Sequence, residues 1–124
     1  MEDIQRQPRW GTALATFAQN GTYSTPVQLN GRLVALYAEP ADFARGAAGS
    51  ITFRASFNPT GTGYPVQSND GTTLRVLAFA TGQYYIFGEP RFPTHGLGYV
   101  RLQMGTDGTA TAASGGTVVL ITEG

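Results

Sequence analysis

Acid–base, nucleophilic and metal chemistry each need particular side chains, and this chain supplies few of them. His95 is the single histidine, cysteine is absent, and all eight basic residues are arginine. Without cysteine there is no thiol nucleophile, no Cys-ligated zinc and no disulfide scaffold. A histidine metal site needs partners at short spacing, and the acid nearest in sequence to His95 is Glu89. His95 lies in Phe92-Pro93-Thr94-His95-Gly96, the composition of a solvated or interface loop. The acids Glu2, Asp3, Glu39, Asp42, Asp70, Glu89, Asp107 and Glu123 fall mostly in turns. Asp70 and Asp107 each precede a glycine, which is ordinary turn chemistry. A facing carboxylate pair of the glycosidase kind is set by fold and leaves no mark in spacing, so a hydrolase ranks last among the readings. No segment carries the regularly spaced acids of a calcium loop. Gly46-Ala47-Ala48-Gly49 lacks the Lys-Ser/Thr that a phosphate loop needs. Asn20-Gly21-Thr22 matches the N-glycosylation sequon, but no export signal accompanies it. The expectation is a chain with no catalytic residue, no bound metal and no cofactor.

What the sequence does offer is contact chemistry. Its aromatics Trp10, Tyr23, Tyr37, Tyr64, Tyr84, Tyr85 and Tyr99 suit either a strand face or a glycan platform. Trp10 follows a polar stretch, Met1–Arg9, that has neither a helical nor a strand period. Residues 1–11 therefore read as an extended arm, ordered by a partner, and residues 12–124 as one domain. Arg9, Trp10, Arg91, Phe92, His95, Thr106 and Thr109 are the candidate interface residues. They lie in the arm, in the loop Glu89–Gly98 and in the loop Gly105–Gly116, segments long and poor in charge.

Stepping outward, the composition bounds the class. The 124 residues fit one domain with one core. Only 13% of them are charged and the formal net charge is zero, so backbone-neutralising nucleic-acid binding is not expected. Glycine and threonine make up about a quarter of the chain. Such a surface is cheap to desolvate and suits burial against partners. Apolar runs stay far short of a membrane span, and the first residues lack a signal-peptide core. The chain reads as one made in the cytoplasm, with no membrane partner.

Short β-branched runs alternate with glycine-rich turns. Thr12–Ala18 reads as a strand or a short helix, and Gly21–Leu29 as extended, with Pro26 confining it to an edge. Asn30-Gly31 is a turn, and Arg32–Ala38 a nearly continuous apolar strand. One helical turn is expected around Asp42–Arg45. In Ile51–Phe57, Ile51, Phe53, Ala55 and Phe57 face the core and Thr52, Arg54 and Ser56 face away. Tyr64–Gln67, a tight turn at Asn69-Asp70-Gly71, Thr72–Ala80 and Gln83–Phe87 follow. In Tyr99–Met104, Val100, Leu102 and Met104 point inward and Arg101 and Gln103 outward. Thr117–Thr122 closes a set of about eight strands, the count of a sandwich or jelly roll.

Gly49-Ser50-Ile51-Thr52-Phe53-Arg54-Ala55-Ser56-Phe57, then Gly63-Tyr64-Pro65-Val66 and Asp70-Gly71-Thr72, form a pattern. It resembles the small jelly-roll proteins of tailed-bacteriophage virions. It is also similar to the core strands of discoidin-like sandwiches. Where such modules carry S-x-D-G, Ser56-Phe57-Asn58-Pro59 opens a longer turn here. The resemblance, over about residues 31–122, implies an all-β, jelly-roll-like antiparallel sandwich. It implies a non-enzymatic virion component: a capsid decoration (cement) protein, or a head–tail or tail-associated piece. Its partners would be copies of itself and other virion proteins such as the major capsid protein. The alternative is a carbohydrate-binding module that holds glycan through exposed aromatics.

Overall fold

A computed structural model describes residues 10–43, 47–87, 92–93 and 97–124, with the backbone alone for 47–48 and 92–93. The described chain is all-β. It holds nine strands: β1 (Trp10–Phe17), β2 (Arg32–Ala38), β3 (Ala47–Ser56), β4 (Tyr64–Pro65), β5 (Arg75–Ala80), β6 (Tyr84–Ile86), β7 (Phe92–Pro93), β8 (Tyr99–Met104) and β9 (Gly116–Glu123). They form two antiparallel sheets that face each other as a sandwich. In the first sheet β1 pairs with β9, β9 with β2, and both β6 and β7 lie along the far edge of β2. In the second, β8 pairs with one edge of β3, and β4 and β5 share the other. Single bridges Tyr23↔Gln103 and Val27↔Val100 bring the extended segment 21–27 to the open edge of β8.

Thr12–Ala18 resolves as strand, beginning two residues earlier at Trp10. Its side chains alternate, with Ala15 and Phe17 buried and Leu14 and Thr16 exposed, a period-2 pattern that a helix does not give. In β2, Leu33, Val34, Ala35 and Leu36 are all buried. A register shift against β9 between Leu33 and Ala35 breaks the alternation there, so an unbroken apolar run suits this strand. Gly31 opens β2 at φ +95, and a Cβ there would lie 2.4 Å from the Glu123 carbonyl oxygen. Only glycine fits that turn.

The core lies between the sheets. Ile51 and Phe53 of β3, Val100, Leu102 and Met104 of β8, and Val118 and Leu120 of β9 are fully buried, as the alternation predicts. Phe17, Phe43, Phe79 and Tyr85 form a chain of ring contacts 5.6–5.8 Å apart. The Tyr85 hydroxyl ends that chain by donating to the Ala78 carbonyl and accepting from the Ala80 amide.

Three face assignments are corrected. Phe57 is 82% exposed, because β3 ends at Ser56 and the turn that follows swings the ring out of the core. Thr52, expected on a solvent face, is 1% exposed. It donates to the Gly105 carbonyl at 2.7 Å and accepts from Arg75 Nε at 3.3 Å. Gln103 is buried too, held by Arg54 Nη1 at 3.0 Å beneath the 21–27 segment. The outer side of the second sheet is therefore a second, polar interior. The expected helical turn at Asp42–Arg45 runs beyond the described residues, as does most of the loop Glu89–Gly98.

Candidate functional site

Of the seven candidate interface residues, Arg9, Arg91 and His95 lie outside the described residues. Phe92 sits on β7, its backbone paired with Leu33. Trp10, Thr106 and Thr109 are exposed. They do not form one site. Trp10 pairs with Glu123 at the end of β9, while Thr106 and Thr109 belong to the loop that leads into its start. Eight strand residues separate the two places, on the order of 25 Å.

That loop is largely occupied with itself. Thr109 donates to Asp107 Oδ1 through both its amide and its hydroxyl, an Asx turn. The hydroxyl bond, and then the amide bond, hold the Asp107 carboxyl below its usual range. Asp70 is built alike: the Ser68 hydroxyl first, then the Thr72 amide, draw its pKa down from 3.8 to about 2. Both carboxylates are exposed turn anchors, fixed in the charged form by local donors. Among the described residues no three His, Cys, Asp or Glu side chains gather as a metal site.

Two features of the first sheet do gather functional groups. The first is its outer face. Cross-strand register places Leu14, Val119, Tyr37 and Tyr84 in one row, and Thr12, Ile121, Ala35 and Ile86 in the next. Tyr37 and Tyr84 touch, with ring centroids 4.5 Å apart. Ile86 is 79% exposed, and Leu14 and Tyr84 are exposed as well. Four strand spacings by about four residues give a plan area on the order of 250 Å². A patch of that size is within the ordinary range for a protein surface, and its exposed large apolar members are Leu14, Tyr84 and Ile86. Its two central rows carry no charged side chain.

The second is a cleft of about 290 Å³ at the sandwich end where β1 starts and β9 finishes. Trp10 and Thr12 of edge strand β1, Gln28, Leu29 and Asn30 before β2, and Thr122 of β9 line it. Gly11 occupies an inward position of β1, and a Cβ there would lie 3.0 Å from Thr122 Oγ1. The missing side chain is what leaves the mouth open. Sequence reading singled out Trp10 but neither the face nor the cleft, since both depend on which strands become neighbours. The rule that adjacent strand residues alternate would have found the Leu14–Val119 row only once β1 and β9 were known to pair.

No protein-family model matches this chain, and neither a curated protein nor a solved structure matches it.

Proposed function

We propose that this chain is a non-enzymatic structural protein of a tailed-bacteriophage virion, assembling through the outer face of the first sheet. The single observation that carries the reading is the bare apolar face built from Leu14, Val119, Tyr37, Tyr84, Ile121 and Ile86. Aliphatic side chains dominate its centre and offer a sugar no hydrogen bonds, so the face favours protein over glycan. A second copy stacked on it would meet sheet against sheet, about 10 Å apart, as the two layers within the sandwich do.

The strand path supports the jelly-roll reading. Counting segment 21–27 as a strand, the chain moves first sheet, second, first, second three times, first twice, second, first. The spatial orders are β1-β9-β2-β6/β7 and 21–27-β8-β3-β5/β4. Two interleaved Greek keys of this kind serve capsid proteins and lectins. A decoration, head–tail or tail position on the particle fits a small domain that presents one flat apolar face.

The test is to band purified phage particles from the source culture on a density gradient and probe them with antibody to this chain. The expected result is the chain in the particle band, with regular gold labelling of the particle by electron microscopy. Its absence from particles, with the chain found free in the lysate, would overturn the reading.

A further inference from the structure

We infer that the open edge of β1 pairs antiparallel with the same edge of a second copy, joining the first sheets of two molecules into one. The inference rests on the assembly reading for part of its affinity, since copies stacked on the outer face bring their edges together in pairs.

Thr16 shows which way the backbone of β1 points. Its amide donates to Thr25 Oγ1 and its carbonyl accepts from the Thr25 amide, both on the side away from β9. Alternate residues of an antiparallel strand turn their backbone groups to the same side, so those of Trp10, Thr12 and Leu14 point off the sheet too. No described residue takes them up. An unpaired edge is a template for another chain, and folded proteins blunt such edges. The other edges among the described residues are blunted. Segment 21–27 bridges to the free side of β8. β5 meets β3 with two register shifts, and its Ala78 carbonyl and Ala80 amide are taken by the Tyr85 hydroxyl. β4, β6 and β7 are two or three residues long, and β4 and β7 each contain a proline. β1 has eight residues, with no proline, no charge and no register shift against β9.

A second copy is the occupant this edge suits. About a two-fold axis through Thr12, Trp10 lies opposite the partner's Leu14, and Leu14 opposite the partner's Trp10. This register uses all three free residues and ends before Thr16, whose edge Thr25 occupies. A strand that meets its own copy about that axis sets charges close to their like, which destabilises a pair, and β1 carries none. Trp10, Thr12 and Leu14 all turn their side chains outward, where Trp10 is 60% and Leu14 58% exposed. Pairing covers each indole with a leucine, a stabilising aromatic–aliphatic contact across strands. It also lays the two bare faces side by side as one surface. A ladder from Trp10 to Leu14 is too short to hold free copies together. Between stacked dimers two such edges engage, the second at high effective concentration.

The test sediments the purified chain and its Thr12→Pro variant at about 1 mM. Proline at position 12 removes an amide that points off the sheet, so the ladder to β9 stays whole. The wild type is expected to sediment as a tetramer, and the variant as a dimer with an unchanged melting temperature. Hydrogen exchange of the wild type gives a second reading that needs no variant. The Thr12 and Leu14 amides should slow about tenfold between about 1 μM and about 1 mM protein. A wild type that stops at dimers with both amides exchanging freely, or a stable variant as large as the wild type, would overturn the edge pairing and leave the face contact standing. A wild-type dimer with both amides slowed would support the edge and count against the face. A monomeric wild type would overturn both.

Discussion

The two outer faces of this sandwich are built from similar strands and end in opposite states. On the second sheet the outer face is roofed over. Arg101 donates from Nε to Gly61, from Nη1 to Ser24 and from Nη2 to Pro59, three backbone carbonyls at 2.7–3.0 Å. Arg54, its cross-strand neighbour, donates to the Thr62 and Gly63 carbonyls and to Gln103, and its guanidinium stands 5.7 Å from the Tyr23 ring centroid. Two like charges placed opposite each other would normally repel. Here each fork is turned onto carbonyl oxygens, and the pair holds the 58–63 loop and the 21–27 segment over the sheet. The first sheet has no such roof. Its outer face carries Leu14, Tyr84 and Ile86 into solvent, and nothing within the described chain covers them. One face is completed by the chain's own loops, and the other is left open among the described residues.

Breaking the layer common to both faces should have the largest effect. Phe53 is fully buried between the sheets, and Phe53→Ala should cost about 3–5 kcal/mol in denaturant unfolding. Phe57→Ala, four residues along the same strand pattern but exposed, should stay within about 0.5 kcal/mol. Removing the roof comes next. Arg101→Ala strips three carbonyls of a charged donor and should cost about 2–3 kcal/mol, with faster hydrogen exchange in residues 58–63. Thr52→Val should cost about 1–2 kcal/mol, since the Gly105 carbonyl and Arg75 lose their partner beneath that roof. Leu14→Thr on the bare face should change stability by no more than about 0.5 kcal/mol.

The smallest effect lies in the turn at Asp70. Its carboxyl has a folded pKa below the unfolded value, so the turn is favoured above the ordinary pKa of 3.8. That advantage fades as pH falls toward about 2. Because Asp70 is exposed, the loss is small. Melting curves between about pH 4 and pH 2 should drop slightly more for the wild type than for Asp70→Asn.

Alternation was enough to place the core. Ile51, Phe53, Val100, Leu102, Met104 and Leu120 are inward because strand side chains alternate and the apolar ones must share one side. The same rule misplaced Thr52 and Gln103. Thr52 is held by Gly105 and Arg75, and Gln103 by Arg54 and the 21–27 segment, each remote in sequence from the residue it holds, and a period-2 pattern carries no information about a roof. Phe57 failed for a local reason: Asn58 binds the Thr60 amide and hydroxyl and ends the strand early. The cleft joins Gly11 to Thr122 and the bare face joins four strands from distant parts of the chain. Neither leaves a signal until the pairing is known. Trp10 stood out in the sequence as a lone large aromatic beside a polar stretch, and it is the one candidate residue that lines a described site.

Sedimentation of the purified chain against its Ile86→Asp variant tests the central claim most directly, over protein concentrations from about 1 μM to about 1 mM. A charge at the β6 edge of the bare face, at its most exposed aliphatic residue, should abolish association and leave the melting temperature of the domain unchanged. The account predicts an oligomeric wild type and a monomeric, equally stable variant. A wild type that is monomeric throughout, or a variant that associates as well as the wild type, would contradict it.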